Sequence, residues 1–233
     1  IDGKQHFVRL LSYVPGRIFA EVKPHSPALL HSLGGKLGRL DRALQDFTHP
    51  AAQRTLRWDL RHAVWIRDFL QYITQPERRA IVEHFLSQFE TQVLPVLPAL
   101  RMSIIHGDPN DYNVLVGEVD AGHKQVVSLI DFVDVVHTNT VCDLAVAAAY
   151  AMLNKADPLA AAANVVAGYH EAFPLTQAEL EVLYFLICTR LCVSVVNSAY
   201  RQKSEPQNDY LIVSEQSAWA LLEQLLNVHP RLA

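Results

Sequence analysis

His106-Gly107-Asp108-Pro109-Asn110-Asp111-Tyr112-Asn113 is the stretch on which the reading of this chain turns. It sets a carboxylate, Asp108, and a carboxamide, Asn113, five residues apart in a loop between two short apolar runs, Ser103–Ile105 and Asn113–Val116. A third run, Lys124–Ile130, ends at a second carboxylate in Ile130-Asp131-Phe132. These runs have the length and β-branched content of strands. Gly117–His123 is polar and turn-like, so the second and third runs read as a hairpin. Such a hairpin brings Asn113 and Asp131 side by side. Phosphoryl transfer needs this set of groups. One carboxylate accepts the proton of the attacking hydroxyl. A carboxamide and a second carboxylate hold magnesium on nucleotide phosphates, because a hard cation prefers oxygen ligands.

On either side of this segment the period changes to that of helices. Upstream, Ser26-Pro27 supplies an N-cap and an N1 proline. Behind it Leu30, Leu33, Leu37, Leu40, Leu44 and Phe47 form one stripe at spacings of three and four. Trp58–Tyr72 and Pro76–Leu94 read as two further helices, the latter with Ile81, Phe85, Phe89 and Val93 on one face. Downstream of Asp143 the chain is expected to stay helical. Asp157-Pro158 opens one helix, and Thr176-Gln177-Ala178-Glu179 has the form of a capping box. A helix from there to Tyr200 and another over Asp209–Leu226 close the chain, with Gln202–Asn208 as a loop. At the start, His6–Val14 reads as a strand ended by Pro15-Gly16. Trp58, Trp65 and Trp219 are expected in the core.

The bulk numbers agree with a globular protein. The chain has 233 residues, half of them hydrophobic and 19% charged, which excludes disordered and collagenous classes. The net charge of −4 advertises neither nucleic acid nor an anionic membrane as partner. The longest apolar run, Leu144–Leu153, falls short of the roughly 20 residues a bilayer span takes. Cys142, Cys188 and Cys192 read as buried free thiols of a reducing compartment, so a cytoplasmic location is expected.

The pattern His106-Gly107-Asp108-x4-Asn113 followed by Ile130-Asp131-Phe132 resembles the catalytic core of the aminoglycoside phosphotransferase and choline kinase-like small-molecule kinases. Leu10-Leu11-Ser12-Tyr13-Val14-Pro15-Gly16 resembles the interlobe hinge of that family, and Asp143-Leu144-Ala145 its element after the metal aspartate. Gly107-Asp108-Pro109-Asn110-Asp111-Tyr112-Asn113-Val114-Leu115-Val116 is most similar to the hydroxylysine kinase group. The resemblance implies an α+β fold of the protein kinase-like large, C-terminal lobe, mostly helical with a few short strands at the active site. Residues 1–16 would be the last small-lobe strand and hinge. Residues 17–233 would be the helical large lobe, with a catalytic loop at 106–113 and a metal motif at 130–134.

By the same resemblance Asp108 is the catalytic base, and Asn113 and Asp131 are the magnesium ligands. The backbone of Ser12 and Val14 faces the adenine of ATP, and Leu115 forms part of its floor. Asp134 is either an auxiliary acidic group or a surface charge. Asp111 is either a substrate contact or part of the loop's structure. Arg190, seven residues before Asn197 on an apolar helix, serves either helix packing or a substrate cleft. His106 and Asp143 brace the loop. The acceptor is expected to be a small hydroxylated amine or amino acid of hydroxylysine or ethanolamine type.

The family pattern also calls for a lysine-bearing small lobe ahead of the hinge. Lys4 is too close to the hinge to supply that lysine. The small lobe is therefore expected to be missing and the chain inactive alone, with a fused aminotransferase-like domain a further partner implied by kinship. Gly34-Gly35-Lys36-Leu37-Gly38 mimics a phosphate loop but sits inside a helical stripe and follows no strand. Two other readings stay open: a noncatalytic kinase-like binding module, and a metal-dependent hydrolase using His106, Asp108, Asp131 and Asp134.

Overall fold

The computed structural model of the chain describes residues 10–119, 122–204 and 215–230, together with residues 3, 6 and 8. Its elements run β1 (Arg17–Ile18), α1 (Pro27–Leu44), a 3-10 segment (Leu60–Tyr72), α2 (Pro76–Gln88), β2 (Met102–Ile105), β3 (Val114–Val119), β4 (His123–Leu129), β5 (Val136–Asn139), α3 (Val141–Met152), α4 (Pro158–Ala172), α5 (Gln177–Ser204) and α6 (Glu215–Leu225). The α+β expectation of many helices around a few short strands is met.

Helix starts follow from local chemistry. The Ser26 side chain accepts from the Leu29 N–H, and Asp157 accepts from the Ala160 N–H, each ahead of a proline at the first turn. At α5 both halves of the capping box form: Glu179 N–H donates to Thr176 Oγ1, and Thr176 N–H donates to Glu179 Oε2. The buried Glu179 carboxylate also receives Arg101, the residue before β2, in a two-pronged pair. The start of the longest helix is thus tied to the strand that leads into the catalytic stretch.

Two of the expected helices depart from α geometry. Leu60–Tyr72 is 3-10, and its buried Leu60, Ala63 and Ile66 stand three apart, the period at which 3-10 side chains eclipse. In the next helix Ile81, Phe85, Phe89 and Val93 are all buried at a strict spacing of four. An α-helix would rotate such a row off its face. A π turn over Phe89–Val93 rotates it back, closed by Leu94 N–H on the Phe89 carbonyl.

α1 and α4 meet through glycines. A Cβ on Gly34 would collide with the Val165 carbonyl, and one on Gly168 with the His31 carbonyl. Gly34-Gly35-Lys36-Leu37-Gly38 is therefore a helix-packing surface. α3 is buried along nearly its whole length. α5 is long and apolar enough to cross a membrane by composition, but 78% of that window is buried within this fold. Cys142, Cys188 and Cys192 are buried and unpaired.

The strands form two small units. β1, β3 and β4 make an antiparallel sheet in that order, with Ile18 opposite Leu115 and Val114 opposite Leu129. β2 pairs antiparallel with β5, Ile105 opposite Val136. The hairpin expected from the sequence is present, with strands reaching Val119 and starting at His123.

Several expectations need correction. Among the described residues of His6–Val14 no strand forms: Leu10, Leu11 and Tyr13 stand exposed with no ladder partner, and residues 7 and 9 lie outside the described residues. So does Lys4. Phe47 lies beyond the end of α1 and is half exposed, so it leaves the stripe. Residues 202–204 continue α5 rather than forming a loop, while 205–208 and 209–214 lie outside the described residues. Trp219 is in the core. Trp58 and Trp65 are only partly buried, because each ring carries an arginine, Arg190 at 4.8 Å and Arg57 at 4.8 Å.

The α1–α4 approach gives a direct test. Gly34→Ala and Gly168→Ala each push a methyl onto backbone that cannot yield, and should cost about 1–3 kcal/mol in urea denaturation. Gly35→Ala, whose methyl would meet the flexible end of Arg39 and lie in ordinary contact, 3.6 Å, with the Gly168 carbonyl, should be neutral or stabilising by up to about 1 kcal/mol.

Candidate functional site

The stretch 106–113 is built down from Asp143, in the first turn of α3. Its carboxylate accepts the backbone N–H groups of His106 at 2.9 Å and Gly107 at 2.8 Å. The residue is completely buried. Next to it lies a second buried carboxyl, Asp41 of α1, which takes the Tyr169 hydroxyl at 2.6 Å. Burial and then the Asp143 charge push Asp41 well above the usual carboxylate range. Asp41 is therefore the protonated member of the pair. Burial raises Asp143 too, but His106, the two backbone donors and Asp41 pull it back.

His106 and Gly107 then shape the loop. His106 Nε2 donates to the Ile130 carbonyl at 2.9 Å, and its Nδ1 accepts the Asp108 N–H at 3.4 Å. One imidazole thus couples the loop to the end of β4. Gly107 has φ +88°, and a Cβ there would strike the Asp134 carbonyl, so only glycine fits.

Asp108 emerges from this support with both oxygens engaged. Oδ1 pairs with Arg190 Nη2 at 2.6 Å, and Oδ2 accepts the Asn110 amide at 2.7 Å. The Asn113 amide nitrogen donates to the Asp108 backbone carbonyl at 2.9 Å. That bond fixes the carboxamide nitrogen and leaves its oxygen free to accept or ligate. Ile130 N–H donates to the Asn113 carbonyl at 2.9 Å, so Asp131 follows directly on the residue bonded to Asn113. Asp131 is exposed and left-handed, φ +64°, a conformation aspartate tolerates better than most residues. Sequence reasoning placed these three residues together, and the structure does so.

Asp134 sits half-buried beside them. Its carboxyl is raised by burial first, and then by the charges of Asp108 and Asp131. Arg54 donates to the Val133 and Val135 carbonyls and so pins this turn from outside. Asp111 is mostly buried, which pushes its carboxyl up to about 6. Arg190 is 1% exposed and pairs with Asp108. Its guanidinium also lies 4.8 Å over Trp58 and donates to the Tyr150 hydroxyl at 3.2 Å, which in turn bonds Ser194 at 3.1 Å.

Ser12 and Val14 lie in the exposed segment ahead of β1 and make no contact with this cluster. Leu115 is buried opposite Ile18, and Gly16 packs close to its Cβ, so the segment and Leu115 adjoin. Sequence reasoning missed Asn110, Tyr150, Trp58 and Arg54. Asn110 stood inside the decisive stretch, but nothing local pointed to the other three.

A magnesium ion fits this donor set. Asn113 and Asp131 offer one neutral and one charged oxygen, and Mg²⁺ is commonly bound through one or two carboxylates with substrate phosphates completing its shell. Among the described residues no group of three or more His, Cys, Asp and Glu side chains could hold a metal by itself. A cavity of about 1140 Å³ between α4 and α5 contains none of these site residues.

The carboxyl pair predicts an asymmetry. Asp143→Asn loses the charge and turns an N–H toward a backbone donor, and should cost about 2–4 kcal/mol by chemical denaturation. Asp41→Asn keeps an acceptor for the Tyr169 hydroxyl and, like the protonated acid, carries no charge, and should cost less than about 1 kcal/mol.

The model of the phosphotransferase enzyme family matches residues 2–183. The hydroxylysine kinase of Bos taurus is 32% identical over 236 residues, covering 97% of this chain and 62% of that protein. That of Xenopus laevis is 33% identical over 230 residues, covering 94% and 61%. The chain thus spans about three fifths of the curated relatives it matches. Among solved structures, "Amicoumacin kinase hAmiN in complex with AMP-PNP, Ca2+ and Ami" aligns with TM-score 0.60 at 14% identity over 91% of this chain and 63% of that one. A microcompartment-associated aminopropanol kinase aligns with TM-score 0.53 at 18% identity, over 86% and 63%. These two likenesses are of fold, and it is a kinase-like one. With the match covering residues 2–183, the chain belongs to the phosphotransferase enzyme family.

Proposed function

We propose that this protein transfers the γ-phosphoryl group of ATP to the hydroxyl of a small hydroxylated amine or amino acid. The observation that carries the reading is the single bonded unit that joins Asp108, Asn113 and Asp131: one loop, one carboxamide and one strand-end link. Similarity to hydroxylysine kinases supports an acceptor with both an amine and a hydroxyl.

In this reading Asp108 receives the acceptor hydroxyl and takes its proton as the oxygen attacks. Arg190 and Asn110 hold the carboxylate in place and leave lone pairs for that hydrogen bond. Asn113 and Asp131 would hold Mg²⁺, which when bound neutralises charge on the nucleotide phosphates. The backbone at Ser12 and Val14, with Leu115 beneath, would take the adenine. Positioning and electrostatics supply most of the rate, as in phosphoryl transfer generally.

Turnover of ATP with hydroxylysine, ethanolamine and 1-amino-2-propanol tests the assignment. Asp108→Asn should lower kcat by about 10²- to 10⁴-fold. Asp131→Asn should raise the Mg²⁺ concentration needed for half-maximal rate. Hydrolysis of phosphate esters without nucleotide, or no turnover of these acceptors with ATP when the lysine-bearing small lobe of the family pattern is supplied, defeats the reading.

A further inference from the structure

Beside the catalytic loop is a second, smaller cavity, about 200 Å³, lined by Lys23, His25, Asp111, Tyr112, Tyr150 and Asn154 among others. It is below the roughly 300–1,000 Å³ of drug-sized ligand sites, so it fits a head group rather than a large molecule. Its charges are mixed in sign. Lys23 lines it and makes no hydrogen bond or ion pair among the described residues. Lys155 stands behind His25 and donates to its Nδ1 at 2.7 Å, while His25 Nε2 donates to the Phe19 carbonyl at 3.0 Å. Burial pushes His25 down to about 4, so its ring is neutral and the two lysines are the cations here. Against them stands one carboxylate, Asp111, whose buried Oδ1 has no hydrogen-bond partner.

We propose that this cavity is the subsite for the zwitterionic head of an α-amino acid acceptor, with Lys23 taking the α-carboxylate, Lys155 adding positive charge from behind His25, and Asp111 taking the α-ammonium. The inference rests on the phosphotransfer reading and narrows its acceptor class. Lys23 in the lining, with Lys155 behind it, outweighs the one carboxylate, and the surplus positive charge is one that a carboxylate satisfies. A simple amino alcohol brings only another cation, and would meet the Lys23 ammonium with nothing to offset it. The unpartnered Asp111 oxygen makes a lone carboxylic acid an equally poor match. Only a ligand carrying both charges at one end satisfies both sides.

The placement suits the chemistry. Asp111 lies three residues after Asp108 in the same loop. Tyr150 lines the cavity, and its hydroxyl accepts from the Arg190 that pairs with Asp108. A head group anchored here leaves the hydroxylated end of its side chain free to reach Asp108.

Calorimetric binding of L-lysine and 1,5-diaminopentane tests this without turnover, since the two differ by a carboxylate and neither carries the reacting hydroxyl. L-lysine should bind at least about tenfold more tightly, the scale of one satisfied ion pair. Lys155→Met and Lys23→Met should each reduce that preference while leaving diamine affinity unchanged or improved. Lys23 is exposed, so its variant will fold even if the half-buried Lys155 proves structural. Asp111→Asn should weaken both ligands. Equal affinity of the two ligands, no binding of L-lysine, or lysine variants that keep the full preference would each overturn the subsite. Selective L-lysine binding in a protein that phosphorylates no hydroxylated amine would instead overturn the phosphotransfer reading and leave the subsite standing.

Discussion

The Asp143 carboxylate, buried and gripping the N–H groups of His106 and Gly107, is the constraint on which the site depends. A loop cannot normally run through the interior, because its backbone groups lose water and gain nothing. Here one side chain on a rigid, buried helix satisfies two consecutive donors. The cost is a buried charge, and Asp41 of α1, held protonated beside it, adds no second one. Because α1 is locked to α4 through glycines, the loop's position is set by the packing of α1, α3 and α4 rather than by local turn propensity.

The same economy of partners appears one residue further on. Arg190 is almost fully buried, and two of its nitrogens lack hydrogen-bond partners. Such a guanidinium is expensive unless paired with charge and stacked. Asp108 provides the charge, and the Trp58 and Tyr150 rings provide the faces. Since Arg190 is fixed by α5 and Trp58 by the segment ahead of the 3-10 helix, the Asp108 carboxylate is held from two directions. A general base, the role proposed for Asp108, would gain from this, because a rotamer already in place loses no entropy on binding.

How much of this was legible varies with how local the cause is. The hairpin, the caps at Ser26 and Asp157 and the box at Thr176 rest on contacts within a few residues, and they could be read. β5 could not. Its Thr138 and Asn139 are polar and look like a turn, yet both are buried because Asp59 and the Leu97 carbonyl answer them from distant segments. The 3-10 geometry of Leu60–Tyr72 was hidden for a similar reason, since apolar spacing of three suits either helix until packing chooses. At the site, Asp108, Asn113 and Asp131 were legible because the spacing itself carries their chemistry. Arg190 was ambiguous, because an arginine in an apolar helix says that it has a partner but not which one.

The contrast between the two parts of the site follows from this. Asp108, Asn113 and Asp131 hang on bonds that end on the main chain: the Asn113 amide on the Asp108 carbonyl, Ile130 N–H on the Asn113 carbonyl, the His106 ring on the Ile130 carbonyl. Side-chain substitution outside these residues and Asp143 leaves that lattice in place. The small cavity beside it is defined by side-chain charges, with Lys23 in its lining and Lys155 behind His25, both from segments outside the sheets and the major helices. The shape of the loop is therefore carried by bonds to backbone, and the charge of the cavity by a few replaceable side chains. In the proposed reading, a fold divided in this way can change its acceptor by exchanging a lysine without disturbing the loop.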